Sequence, residues 1–236
     1  GADFVATGHY ARAESGKLIM GDDENKDQTY FLWTLTKEQL AHVLFPVGNI
    51  EKPEVRKLAK KFKLATAEKK DSQGLCFIGK IDVKEFLSHY IETKRGDVLD
   101  EKGNVIGHHD GAFFYTIGER HGFTVTKKTP HDEPYYVFQK DIEKNTISVS
   151  MKNTEGELPN GKTTLYLGKV NWIGGSVPEA GKKYMARSRY RETLQEITIN
   201  NENFVTFSKP QFTISPGQSL VIYNGRECLG GGIISA

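Results

Sequence analysis

The chain has 236 residues, 32 Lys plus Arg against 30 Asp plus Glu, a net charge of +2, and two cysteines. That length holds one to three compact domains, and the charge balance means that any nucleic-acid role needs a local basic patch. Two distant thiols exclude a disulfide scaffold and argue against structural zinc, no apolar run reaches the ~20 residues that span a bilayer, no signal peptide is visible, and a reducing cytoplasmic setting is expected.

Phe4-Val5-Ala6 ends at Gly8 and predicts a short buried parallel strand. Ligands of open α/β sheets gather at the carboxyl ends of strands, which makes Gly8 and His9 candidate site residues. Lys26-Asp27-Gln28 then gives a polar head to Tyr30–Trp33, with Lys26 a cationic donor and Gln28 able to donate and accept. Thr36-Lys37-Glu38-Gln39 has the capping-box form and predicts a helix through Val43. Pro53 at a first helical position opens an amphipathic helix with Val55, Leu58, Ala59 and Phe62 on one side and lysines and arginines on the other.

The most distinctive stretch is Asp71-Ser72-Gln73-Gly74-Leu75-Cys76-Phe77-Ile78-Gly79. Small residues surround a cysteine that apolar neighbours can anchor, and the nearby lysines and arginines favour its thiolate. A half-buried cysteine acting as a small hydrophobe would carry the same letters. Asp82 and Glu85 form a second capping pair, predicting a helix that buries Phe86, Leu87, Tyr90 and Ile91.

Beyond Arg95-Gly96 the pattern turns to short strands. Asp97–Leu99 with Val105-Ile106, and Tyr135–Gln139 with Thr146–Ser150, read as two hairpins. His108-His109-Asp110 lacks a further ligand at useful spacing and is not read as a metal site. Residues 156–162 make a linker, followed by strand-like runs at 164–170, 183–189, 194–200, 203–207, 219–223 and 227–234, the pattern of a small antiparallel barrel. Arg187-Ser188-Arg189-Tyr190-Arg191 places three arginines and a tyrosine on one rim, a chemistry suited to phosphate and base. Cys228, inside the last run, reads as a buried small residue.

Seven segments together resemble the tRNA-specific 2-thiouridylases, in family order and across the whole chain: Ala6–Tyr10, Lys26–Leu32, Leu44–Gly48, Lys70–Gly79, Thr116–Gly122, Ser215–Ser219 and Cys228–Ile234. The resemblance implies an α/β remnant of an adenine-nucleotide α-hydrolase (PP-loop) domain over residues 1–92, a small β-rich central domain over 93–155, and a C-terminal antiparallel β-barrel over 156–236. It implies that Cys76 carries a persulfide received from a sulfur-donor protein and that Gly8 contacts ATP. It also implies tRNA contacts at His9, Lys26, Asp27, Gln28, Arg189, Tyr190 and Gln218. In such an enzyme ATP, with Mg2+, adenylates the C2 oxygen of the wobble uridine. Sulfur then attacks C2, and a second cysteine resolves the persulfide.

The family's Ser-Gly-Gly-x-Asp-Ser phosphate loop and its first catalytic cysteine are not among these residues. A C-terminal fragment that keeps tRNA binding and the persulfide cysteine, inactive alone and monomeric, is therefore expected. Two other readings remain open from the residues: a stand-alone RNA-binding module without catalysis, and a cysteine hydrolase pairing Cys76 with His9 or His121.

Overall fold

The computed structural model describes residues 1–69, 83–126, 133–152, 157, 159–200 and 202–235. They form two compact units, one of Gly1–Lys69, Thr163–Lys209 and Pro216–Ala236, the other of Lys70–Lys162 and Pro210–Ser215. No helix among the described residues is long and apolar enough to cross a membrane.

The first unit opens with β1 (Val5–Ala6), β2 (Ala11–Glu14), β3 (Lys17–Met20), α1 (Thr29–Leu32), α2 (Lys37–Leu40), β4 (Val43–Leu44) and α3 (Lys52–Lys61). The expected parallel strand is present as β1, paired with β4 through Val5↔Val43 and Ala6↔Leu44. It is exposed rather than buried, because among the described residues the pair has no further strand beside it. The Thr36 capping box is complete, with Gln39 N donating to Thr36 Oγ1 and Thr36 N to Gln39 Oε1. The helix it starts stops at Leu40, short of Val43, because Val43 is taken into the parallel pair. In α3 the proline sits in the first turn as expected, and Lys52 N at its start donates to Asp23 Oδ2 at 3.0 Å.

An unpredicted hairpin precedes these helices. Ser15 and Gly16, both at positive φ (51° and 75°), form the two-residue turn between β2 and β3, the geometry that matches the natural twist of paired strands. Leu18 and Ala11 turn inward from it and are fully buried.

The second unit holds α4 (Val83–Ser88), β5 (Gly96–Leu99), β6 (Val105–His109), β7 (Thr124–Val125), β8 (Tyr136–Asp141) and β9 (Thr146–Ser150), in sheet order β7-β6-β5-β9-β8. Both expected hairpins are there, and a parallel pairing of β5 with β9 unites them. Val98, Ala112, Tyr115, Val137, Ile147 and Val149 make its core. Asn145, in the left-handed region at φ 52°, fixes the β8–β9 turn by accepting from Ala112 N and donating to Lys94 O. Phe86 on α4 and Tyr90 just after it are exposed, Tyr90 by 75%, whereas Leu87 and Ile91 are half-buried, so the described residues cover the expected apolar face only in part.

The first unit is completed by β10 (Lys162–Trp172), β11 (Lys183–Arg187), β12 (Gln195–Ile199), β13 (Phe204–Gln211), β14 (Ser219–Asn224) and β15 (Glu227–Ile234). They run β10-β13-β12-β11-β14-β15, and β15 returns to β10, closing a six-stranded antiparallel barrel. Closure removes the exposed sheet edges that invite aggregation. Strand β3 joins this sheet too, pairing Ile19 with Glu227 and Leu18 with Cys228.

The N-terminal segment therefore covers one outer face of the barrel. Successive residues of a strand point to opposite faces, yet Leu220, Val221, Ile222 and Tyr223 are all fully buried. Val221, Tyr223 and Cys228 pack with Ala11, Leu18, Trp33 and Leu40 in one core. A Leu or Val side chain withdrawn from water in this way is worth about 1.5–3 kcal/mol, so the segment and the barrel stabilise one another.

Candidate nucleic-acid interface

Three stretches singled out in the sequence meet in the first unit, and Tyr30 is where they join. Its phenol oxygen donates to Ser188 O at 2.7 Å and lies 3.1 Å from Ser219 O, the neighbours of Arg189 and Gln218. Tyr30 itself follows Lys26-Asp27-Gln28 by two residues and opens α1 with Thr29. A fourth stretch is tied in through Gln28, whose Oε1 accepts from Tyr10 N at 3.0 Å and whose N–H donates to Tyr10 O at 2.9 Å. That pair of bonds fixes the backbone next to His9.

The turn carrying Arg189 and Tyr190 is built by Glu192. Its Oε2 accepts from Ser188 N, Ser188 Oγ and Arg189 N at 2.8, 2.9 and 3.0 Å. Arg191 sits at φ 63° and donates through Nε to Asn25 O at 3.0 Å. The Tyr190 ring lies 4.7 Å from that of Phe31, and the Arg191 guanidinium is 5.2 Å from the Tyr190 centroid. Phe31, within the Tyr30–Trp33 run, is 50% exposed and forms an open aromatic surface beside Tyr190. Such a ring pair with arginines around it suits stacking on bases and contact with phosphates.

Asp27 and Arg187 are placed differently from their neighbours. Asp27 is 3% exposed, and its carboxylate accepts from Gly21 N, Thr29 N, Thr29 Oγ1 and Arg187 Nη2. Arg187, expected on the rim, is 6% exposed; Nη2 is 2.6 Å from Asp27 Oδ2 and Nε donates to Tyr223 OH at 3.2 Å. The segment over the barrel's outer face is what buries it. Burial pushes the Tyr223 hydroxyl above its usual pKa, so it stays protonated beside the ion pair.

Gly8 is exposed just past the carboxyl end of β1, and a Cβ there would meet nothing within 4 Å. His9 hydrogen-bonds through Nδ1 with Thr7 Oγ1 at 2.8 Å and stands edge-on to Phe45. It borders a cleft of about 580 Å³ lined by Val5, Leu32, Leu35, His42 and Phe45, among others. Gln218 is half-buried in the loop before β14, and its Oε1 has no hydrogen-bond partner among the described residues. Cys76 and the loop around it lie outside the described residues. Among the described residues no group of three or more His, Cys, Asp or Glu is placed to hold a metal ion, so magnesium is assigned no ligand. His109 is buried and accepts from Gly111 N through Nδ1.

Cys228 is structural. Burial pushes its thiol up to about 12, far from the thiolate that nucleophilic chemistry needs. Iodoacetamide at mildly alkaline pH is expected to leave Cys228 unmodified in the native chain and to label it on unfolding. Peptide mapping checks this, and native-state labelling would overturn it. Since the folded value is the higher one, the stability from the neutral thiol is complete below about 9 and is lost as pH climbs towards about 12.

Comparison with known families agrees with this architecture. Residues 1–80 match a tRNA methyl transferase HUP domain, 84–151 a tRNA methyl transferase PRC-barrel domain, and 162–234 an aminomethyltransferase beta-barrel domain. The tRNA-specific 2-thiouridylase MnmA 2 of Geobacillus kaustophilus is 45% identical over 242 residues, covering 99% of this chain and 64% of that protein. MnmA of Francisella philomiragia is 43% identical, covering 99% of this chain and 67% of its own length. MnmA of Lysinibacillus sphaericus is 44% identical over 99% of this chain and 64% of its own. The chain thus spans about two thirds of the length of the relatives it matches, and it belongs to the tRNA-specific 2-thiouridylase (MnmA) family.

Proposed function

We propose that this chain supplies the tRNA-binding face and the sulfur-carrying Cys76 of an enzyme that replaces the C2 oxygen of the wobble uridine of tRNA with sulfur. The observation that carries the RNA half is the meeting of Lys26–Gln28, Arg189–Tyr190 and Gln218 around Tyr30. Lys26, Arg189 and Arg191 offer cations to phosphates, while Phe31 and Tyr190 offer rings to bases. His9 stands beside an apolar cleft whose size is in the range of small-ligand sites and suits an extruded base. Cys76 accepts the persulfide from a donor protein, its loop enriched nearby in lysine. The open backbone at Gly8 leaves room for ATP, which would supply the activation of the uridine oxygen. The Ser-Gly-Gly-x-Asp-Ser loop that this activation needs is not in the sequence, so the chain alone is proposed to bind tRNA without turning it over. A monomer in the cytoplasm fits this role.

Titration with tRNA at several salt concentrations tests the reading. Affinity is expected to fall linearly on a log–log plot, and Arg189→Ala to weaken binding about threefold to tenfold while flattening the slope by about one phosphate contact. Incubation with a persulfide donor is expected to add one sulfur atom to Cys76, seen by mass spectrometry and lost in Cys76→Ser. Affinity for tRNA no better than for unrelated RNA would remove the proposal, as would thiouridine formation from ATP and sulfide at the rate of a full-length relative.

A further inference from the structure

The proposed RNA face is made of loops far apart in sequence, and a buried ion pair spans the seam between them. Asp27 follows Lys26 directly, and Arg187 precedes Ser188-Arg189-Tyr190. Their side chains are 2% and 7% exposed, so neither charge can meet a phosphate where it stands. The Asp27 carboxylate has four donors around it, and the Arg187 guanidinium also lies 4.9 Å from the Tyr223 ring centroid. Weaker links cross the same seam: Tyr30 to Ser188, Arg191 to Asn25, and Phe31 against Tyr190.

We infer that Arg187 and Asp27 are positioning residues, a buried ion pair that holds the Lys26 loop and the Arg189–Tyr190 turn as one tRNA-contact face. This rests on the tRNA reading above. An ion pair suits the task better than an apolar contact because the planar guanidinium, with Nη2 on Asp27 Oδ2 and Nε on Tyr223 OH, is held in direction and resists sliding. Asp27 then acts on RNA through its neighbours rather than by touching it.

The test uses Asp27→Leu, Arg187→Met and the double variant in the whole chain, with Asp27→Asn as the milder substitution should Asp27→Leu not fold. Affinity for tRNA is titrated on the folded fraction, and hydrogen exchange at amides 188–191 is followed without RNA. Each single variant is expected to weaken binding about tenfold and to speed that exchange, with the double no weaker than the weaker single, because both act through one contact. A double variant as weak as the product of the singles would put each group on the RNA itself and overturn the inference. Singles that lower thermal stability but keep native affinity would overturn it as well. Should the parent chain not bind tRNA, exchange still decides. Faster exchange in Asp27→Leu keeps the coupling and removes only the tRNA reading, whereas unchanged exchange removes the coupling.

Discussion

Gly230→Ala is expected to unfold the barrel, at a cost of more than about 4 kcal/mol. Strand β15 is held on both sides at this point, with Gly230 opposite Ile222 of β14 and Trp172 of β10. Gly230 has φ +127°, a backbone conformation that L side chains rarely adopt, and a Cβ there would stand 2.0 Å from Asn171 O. The obstacle is backbone, so relief requires β10 to part from β15 and the closed sheet to open. Gly231, whose Cβ would come 2.3 Å from Leu220 O, crowds the other side of the seam. A typical domain has only about 5–15 kcal/mol of stability to lose. Gly225→Ala is the control: it also sits at positive φ, +57°, but its Cβ would meet nothing within 4 Å, and its cost should be about 1–2 kcal/mol. Urea unfolding followed by far-UV circular dichroism measures both, and a Gly230→Ala chain as stable as the Gly225→Ala chain would contradict the argument.

Arg187→Met is expected to cost about 3–5 kcal/mol, since among the described residues it leaves the buried Asp27 charge bonded by Thr29 and Gly21 alone. Removing both charges, in Asp27→Leu with Arg187→Met, should cost less than removing one, because a buried pair replaced by apolar groups avoids the uncompensated charge. An exposed pair behaves otherwise. Lys57 and Glu54 are 2.9 Å apart with side chains 74% and 51% exposed, and Lys57→Ala should stay within about 0.5 kcal/mol of the parent. Equal losses from Arg187→Met and Lys57→Ala would mean that solvent reaches the Asp27 site.

The barrel was legible because its six runs are short, apolar and separated by turn residues, and each appears within a few residues of its expected span. The central hairpins were legible for the same reason, but not the parallel pairing of β5 with β9, whose partners are about fifty residues apart. The β2–β3 hairpin was missed although Ser15-Gly16 is a two-residue turn signal, because the apolar half of the alternation in Ala11-Arg12-Ala13-Glu14 is alanine, a weak strand signal. That omission hid the covering of the barrel's outer face, and with it the burial of Arg187. Strand parity alone points Arg187 outwards like Met185; only the fold reveals that Asp27 waits there. The unbroken run Leu220–Tyr223 carried the clue, since a strand apolar on both faces is buried on both. The candidate contact stretches rest on family resemblance, while their meeting at Tyr30 spans more than 150 positions of chain and has no local signal.

The pairing of Leu18 with Cys228 turns an inert sulfur into an alarm. Whatever peels residues 11–20 away from β15, whether a protease clip, a competing strand or a displaced neighbour, uncovers a thiol that burial had silenced. Its sudden appetite for a gentle alkylating reagent would then time the event in an otherwise folded molecule.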